Sequence, residues 1–200
     1  MLAGAVVVGI GLGSSRGAMA SIGPVLGDPS GSSLGYPAGD CTLGFAFTVN
    51  TAYTVNYLGV WDATGELEEG HPVAIWDTSA IPVQLVTGTV VEPGLEQGQY
   101  DWVAVPATTL LPGNYIIGAF YHYTPDGVLN VTAPASVDPA ITYTSSQFDY
   151  SAGLVYPGDT FGTFPYVAGP NFATEVTPEP ATLTLLGAGL LALRVRRRKA

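Results

Sequence analysis

The sequence predicts an all-β protein, an antiparallel β-sandwich of jelly-roll or immunoglobulin-like kind. Three observations carry that prediction. Thr, Val, Tyr and Phe recur in short runs separated by Gly, Pro, Asn and Asp, the composition of strands and turns, and the chain holds 26 Gly and 16 Pro. Charged residues make up only 11%, so the Glu, Lys and Arg that long surface helices use are scarce. No stretch of the middle of the chain carries a helical period, while several alternate with period two. A length of 200 residues with 47% hydrophobic content suits one globular domain plus targeting segments.

The strands follow in order. GFAFTVN (Gly44–Asn50) sets Phe45, Phe47 and Val49 against Ala46 and Thr48, the pattern of a half-buried strand. YTVNYLGVWD (Tyr53–Asp62) continues with Val55, Tyr57 and Trp61 expected on one face. The polar turn ATGELEEGH leads into PVAIWD (Pro72–Asp77). QLVTGTVV (Gln84–Val91) and YDWVAVP (Tyr100–Pro106) flank a second turn, EPGLEQGQ. LPGNYIIGAFYHY (Leu111–Tyr123) has Pro-Gly-Asn turn chemistry at its start and Pro125-Asp126-Gly127 at its close. Further strands are expected near 128–132, 141–148 and 166–176. About eight or nine short strands spaced by turns describe a sandwich.

The two ends differ from this body. An apolar run from Leu2 to Leu12 is too short to span a bilayer, which takes about 20 apolar residues. Ala18-Met19-Ala20 then supplies the small-x-small pattern read by a signal peptidase, with the cut expected before Ser21. No cation precedes the run, a departure from the usual signal peptide. At the other end, Ala181 to Leu193 carries no charge and holds Leu183, Leu186, Leu190 and Leu193. As a helix that segment rises about 20 Å, short of a hydrocarbon core of ~30 Å. Val195 and snorkelling arginines bring it close to spanning. Arg194, Arg196, Arg197, Arg198 and Lys199 follow, and the positive-inside rule places them on the cytoplasmic side. The expected order is a signal peptide (1–20), a β-sandwich domain (21–177), and a tail (178–200) with a short transmembrane helix and a basic end.

Pro178-Glu179-Pro180, the apolar segment with Gly187 and Gly189, and the basic end, taken in this order, resemble a PEP-CTERM sorting signal. The resemblance implies export across the inner membrane of a Gram-negative bacterium and recognition of the tail by an exosortase. It further implies cleavage near the Pro-Glu-Pro motif, in a setting where exopolysaccharide is often made. Pro178, Glu179 and Pro180 would then be contacts for the processing enzyme, and the membrane would be engaged only in transit. The body is similar, more faintly, to β-sandwich domains found ahead of such tails. That likeness rests on Leu43-Gly44-Phe45-Ala46-Phe47, Leu58-Gly59-Val60-Trp61-Asp62, the strand from His71 to Asp77, Leu110–Tyr115 and Gly169-Pro170-Asn171-Phe172. It implies the fold and little chemistry.

Charge excludes some functions. From Gly17 to Leu193 there is no Lys or Arg, while the same stretch holds all 16 Asp and Glu residues. Such a body repels nucleic acid and has no cation with which to grip phosphate. A cation such as Ca²⁺ is the natural partner for unpaired carboxylates, although scattered surface acids commonly serve solubility alone. Cys41 is the single cysteine; with two scattered histidines it builds neither a disulfide nor a zinc site, and a small core residue is expected.

Enzymatic readings find little support. No G-x-S-x-G, phosphate-cradling loop or EF-hand spacing occurs. His71 reads as a strand-entry residue, and His122 as a cross-strand partner of tyrosines. Glu66, Glu68 and Glu69 crowd one loop and read as a solvated turn rather than a facing pair for glycoside hydrolysis. Trp61, Trp76 and Trp102 lie in expected strands and should pack between sheets. Tyr121, Tyr123, Tyr143, Tyr150 and Tyr156 are the better surface candidates, on which sugar rings could stack. Any anionic polysaccharide would be held through Ca²⁺ or neutral hydroxyls. The expectation is a non-enzymatic protein of the cell surface or extracellular matrix, with a carbohydrate-binding module for exopolysaccharide as the alternative.

Overall fold

A computed structural model describes residues 25–27, 33–35, 39–62, 67–97, 99–123, 126–131, 134–161 and 166–176. The expected signal peptide and the tail from 178 onward lie outside the described residues. Among the described residues fifteen strands run in chain order: β1 (Val25–Gly27), β2 (Ser33–Gly35), β3 (Cys41–Val49), β4 (Tyr53–Trp61), β5 (His71–Asp77), β6 (Gln84–Val90), β7 (Leu95–Gln97) and β8 (Tyr100–Leu110). They continue with β9 (Gly113–Tyr121), β10 (Val128–Val131), β11 (Pro134–Val137), β12 (Ile141–Tyr150), β13 (Asp159–Thr160), β14 (Tyr166–Ala168) and β15 (Pro170–Ala173). Every pairing among them is antiparallel. Among the described residues no helix is long and apolar enough to cross a membrane.

Two sheets make the body: six strands in the order β13-β12-β3-β9-β5-β6, and four in the order β15-β4-β8-β7. Two smaller sheets, β1-β11 and β14-β10-β2, are built of short strands; β10 and β14 fall in the stretches expected at 128–132 and 166–176, whereas β1, β2 and β11 were not separated from loops by the sequence pattern. The alternation expected in β3 holds, since Phe45, Phe47 and Val49 are buried while Ala46 and Thr48 are half-exposed. Ile75, Ile117 and Phe45 stand opposite one another across β5, β9 and β3. Phe47 reaches the second sheet, its ring 4.8 Å from that of Phe172 on β15, which in turn meets Tyr53 edge-on. Burying side chains of this size contributes roughly 1.5–3 kcal/mol each, so this aromatic seam is what joins the sheets.

The other face of the large sheet is covered differently. Gly44 and Gly118 face each other across β3 and β9, with Ala74 beside Gly118 on β5. A Cβ on Gly44 would collide with the Ile117 carbonyl oxygen, and one on Gly118 would stand 3.2 Å from Pro157 and 3.4 Å from the Trp76 ring. Small residues thus open a shallow trough that the 151–158 segment fills. Val155 N–H donates to Thr42 Oγ1 at 3.1 Å, and Tyr156 meets Trp76 edge-on.

Some expectations are corrected. Val55, Tyr57 and Trp61 do not form one continuous face, because a register shift between Val55 and Tyr57 interrupts the alternation; Leu58 and Val60 are fully buried instead. Tyr121 is not a surface residue: it is fully buried, its ring 4.7 Å from that of His71. Cys41, by contrast, is the small core residue expected: it is buried and free, and burial pushes its thiol up to about 11.

Candidate functional site

Trp61, Trp76 and Trp102 are all buried; Trp61 and Trp102 belong to the core, whereas Trp76 packs on the outer face of the large sheet against Tyr156 rather than between the sheets. Trp61 and Trp102 both pack on Tyr100, at 5.3 and 5.5 Å between ring centroids. Tyr143 and Tyr156 are partly buried, which leaves Tyr123 and Tyr150 as the exposed pair. Both stand at one end of the large sheet: Cys41 lies opposite Tyr121 on one side and Tyr150 on the other. Between them sits Asp40, which accepts the Tyr123 N–H at 2.9 Å and lies 2.8 Å from His122 Nδ1. Those contacts, the Tyr123 N–H foremost, hold the Asp40 carboxyl below its usual value. His122 is therefore an exposed partner of Asp40 beyond the end of β9, not a cross-strand partner of tyrosines.

His71, the first residue of β5, is buried against Asp126. Its Nε2 lies 3.0 Å from Asp126 Oδ2, and its Nδ1 lies 3.0 Å from the Phe120 carbonyl oxygen. Both ring nitrogens thus face acceptors, so the two contacts are satisfied together when the His–Asp pair carries two protons. Asp126 also accepts the N–H groups of Glu68 and Glu69, at 3.0 to 3.2 Å. The polar turn is thereby tied to the end of β9. A histidine with no exposed atoms and both nitrogens engaged is suited to holding a loop and is closed to a substrate.

A third group of ionisable residues was missed in the sequence. Glu92, Glu96 and Asp101 bring one carboxylate oxygen each within 4.8 Å of one another. Glu92 and Glu96 are exposed on the turn and short strand between β6 and β8, whereas Asp101 is wholly buried. Glu96 stands directly opposite Asp101 in the β7–β8 pairing, and Val60 stands opposite it on β4. Gly94 folds over the Asp101 side chain so closely that a Cβ there would lie 3.1 Å from both Asp101 Oδ1 and the Val91 carbonyl oxygen. Neither oxygen of Asp101 has a hydrogen-bond donor in reach. Asp62 lies against it, and two carboxyls share a hydrogen bond only when one is protonated. Burial first, then the charges of Glu92, Asp62 and Glu96, push the Asp101 carboxyl up to about 7. Only the turn signal EPG marked this place in the sequence; the four acids are spread from 62 to 101 and meet through strand pairing.

Pro178, Glu179 and Pro180, the four leucines of the apolar tail and its basic end lie outside the described residues. Residues 176–199 match the PEP-CTERM protein-sorting motif, and this bears out the resemblance read from those residues. The C-terminal end of the chain thus carries a signal that marks a protein for export, for an exosortase and for the cell surface. No curated protein matches the chain.

Proposed function

We propose that this is an exported, non-enzymatic protein of the cell surface or extracellular matrix, whose β-sandwich is delivered by its C-terminal signal and freed by exosortase cleavage near Pro178-Glu179-Pro180. The observation that carries this reading is the sorting motif at 176–199. In transit, Leu183, Leu186, Leu190 and Leu193 enter the membrane and Arg194 to Lys199 stay on the cytoplasmic side. The body is consistent with a structural role, since its buried histidine is engaged in tying a loop and its tryptophans in packing. Intact-mass measurement of the protein from its native host tests the reading. A mature chain lacking both 1–20 and the residues after the Pro-Glu-Pro motif is expected; a mass that retains 181–200 overturns the processing step.

The second reading, a module that binds neutral exopolysaccharide, is favoured by one observation: Tyr123 and Tyr150 are both exposed and flank Asp40 and His122. Stacking of a sugar on such rings supplies apolar contact, and the His–Asp pair supplies directional hydrogen bonds. Glycan-array binding that saturates and falls about tenfold or more in Tyr123→Ala and Tyr150→Ala would replace the purely structural reading with this one.

A further inference from the structure

We propose that Glu92, Glu96 and Asp101 form a divalent-cation site fitted to Ca²⁺, closed over by the turn between β6 and β7. Three independent features point there. The first is distance. Two oxygens bound to one Ca²⁺ at about 2.3–2.6 Å can stand up to about 5 Å apart, and the three carboxylate oxygens lie within 4.8 Å of one another. Mg²⁺, held at about 2.1 Å in a strict octahedron and slow to shed its waters, is a poorer fit to this array.

The second feature is the buried member. Asp101 has no exposed surface, and neither of its oxygens meets a donor. A buried carboxylate without a donor costs several kcal/mol, so its surroundings must supply either a proton or a metal ion. Its cross-strand partner makes matters worse, since like charges placed directly opposite repel.

The third is the absence of any internal counter-charge. The chain has no Lys or Arg between Gly17 and Leu193. Its two histidines are engaged elsewhere, His71 with Asp126 and His122 with Asp40. Four carboxyls, Asp62 included, therefore gather where the body offers no cation of its own. Asp62 and Asp101 can share a proton, and that is the rival occupant; a cation entering between Asp101 and the two glutamates displaces it. Glu92 and Glu96, being exposed, give the ion a path from solvent, and water completes the coordination shell.

The test uses the full chain freed of divalent ions with EDTA. Ca²⁺ is added while Tm is followed, and Tb³⁺ is added while its luminescence is excited through the tryptophans, since Trp102 adjoins Asp101 in the chain. The expected result is a saturable rise in Tm with a midpoint of about 10⁻⁴–10⁻³ M, the range of extracellular Ca²⁺ modules. Tb³⁺ emission should appear and be quenched by Ca²⁺. Glu96→Gln and Glu92→Gln, both at exposed positions, should each weaken the response about tenfold or more, and Asp101→Asn should abolish it. No Ca²⁺-dependent shift in the unaltered chain overturns the proposal. So does a shift that NaCl reproduces at equal ionic strength, or one that Glu96→Gln and Glu92→Gln leave unchanged. Those two variants decide the question even if Asp101→Asn does not fold.

Discussion

Asp126 and Asp101 are both buried aspartates at strand ends, and they are treated in opposite ways. Asp126 accepts two backbone N–H groups and faces an imidazole nitrogen at 3.0 Å. The ionisable groups around Asp101 are all carboxyls, and no donor reaches it except a protonated Asp62. The first is a closed arrangement in which every contact is internal. The second is left open to whatever positive species arrives from solvent. Burial alone therefore does not say what an aspartate is for; the donors around it do.

The comparison can be broken at either end. The largest effect is expected from His71→Ala, which removes the ring from a wholly buried site and leaves Asp126 facing a void. Loss of one partner of a buried pair costs about 3–5 kcal/mol, read as a fall in the urea midpoint. Asp126→Asn keeps the shape but weakens the grip on Glu68 and Glu69, a loss of about 1–3 kcal/mol by the same measure. Asp101→Asn should act with the opposite sign. With EDTA at pH 8 it removes an unpartnered charge, and the variant should be more stable than the parent by about 1–2 kcal/mol, the shift being discounted for screening around the exposed glutamates.

The pH dependence sharpens the contrast. Asp101 has a folded value raised to about 7, against an unfolded value of about 3.9. Its protonated form therefore contributes stability that is complete below about pH 4 and is lost progressively as pH rises through about 7. In EDTA, Tm of the parent should fall relative to Asp101→Asn between pH 5 and 7.5, and saturating Ca²⁺ should flatten that difference. A parallel course for the two chains would show that Asp101 does not carry the shift. The smallest effect belongs to Glu96→Gln in EDTA, a gain of at most about 0.5 kcal/mol from relief of the opposed charges.

Period-two alternation made β3 legible, because Phe45, Phe47 and Val49 on its packed face are large; β5 and β9 were marked instead by the turns beside them, since both faces are buried through their middles. Alternation failed in β4, where the register shift after Val55 reverses which side chains are buried. The short strands β1, β2 and β11 were invisible for a simpler reason: three or four residues are too few to show a period. Of the candidate sites, the tail was readable as a string of residues, since charge, apolarity and the Pro-Glu-Pro triplet are contiguous. The acidic cluster was not, for it depends on the register that sets Glu96 against Asp101. Tyr121 shows the same limit. Its closeness to a loop suggested exposure, and only its full burial beside the tilted ring of His71 reveals that it is interior.

The last strand among the described residues has a mechanical consequence. β15 lies at the edge of the four-stranded sheet, paired with β4 from Val60 to Tyr57, and Phe172 is embedded between the sheets. Just beyond it, the Asn56 side-chain amide donates to the Thr174 carbonyl oxygen at 2.9 Å, and Thr174 Oγ1 donates to the Thr54 carbonyl oxygen at 2.6 Å. Tension applied to the chain at Val176 thus meets a two-point clasp before it reaches the strand. Drawn along the strand axis, it must break the β15–β4 hydrogen bonds together and extract an aromatic ring, whereas a sideways pull opens them one after another. The direction in which the tail is drawn decides how much load the body withstands while its end is held.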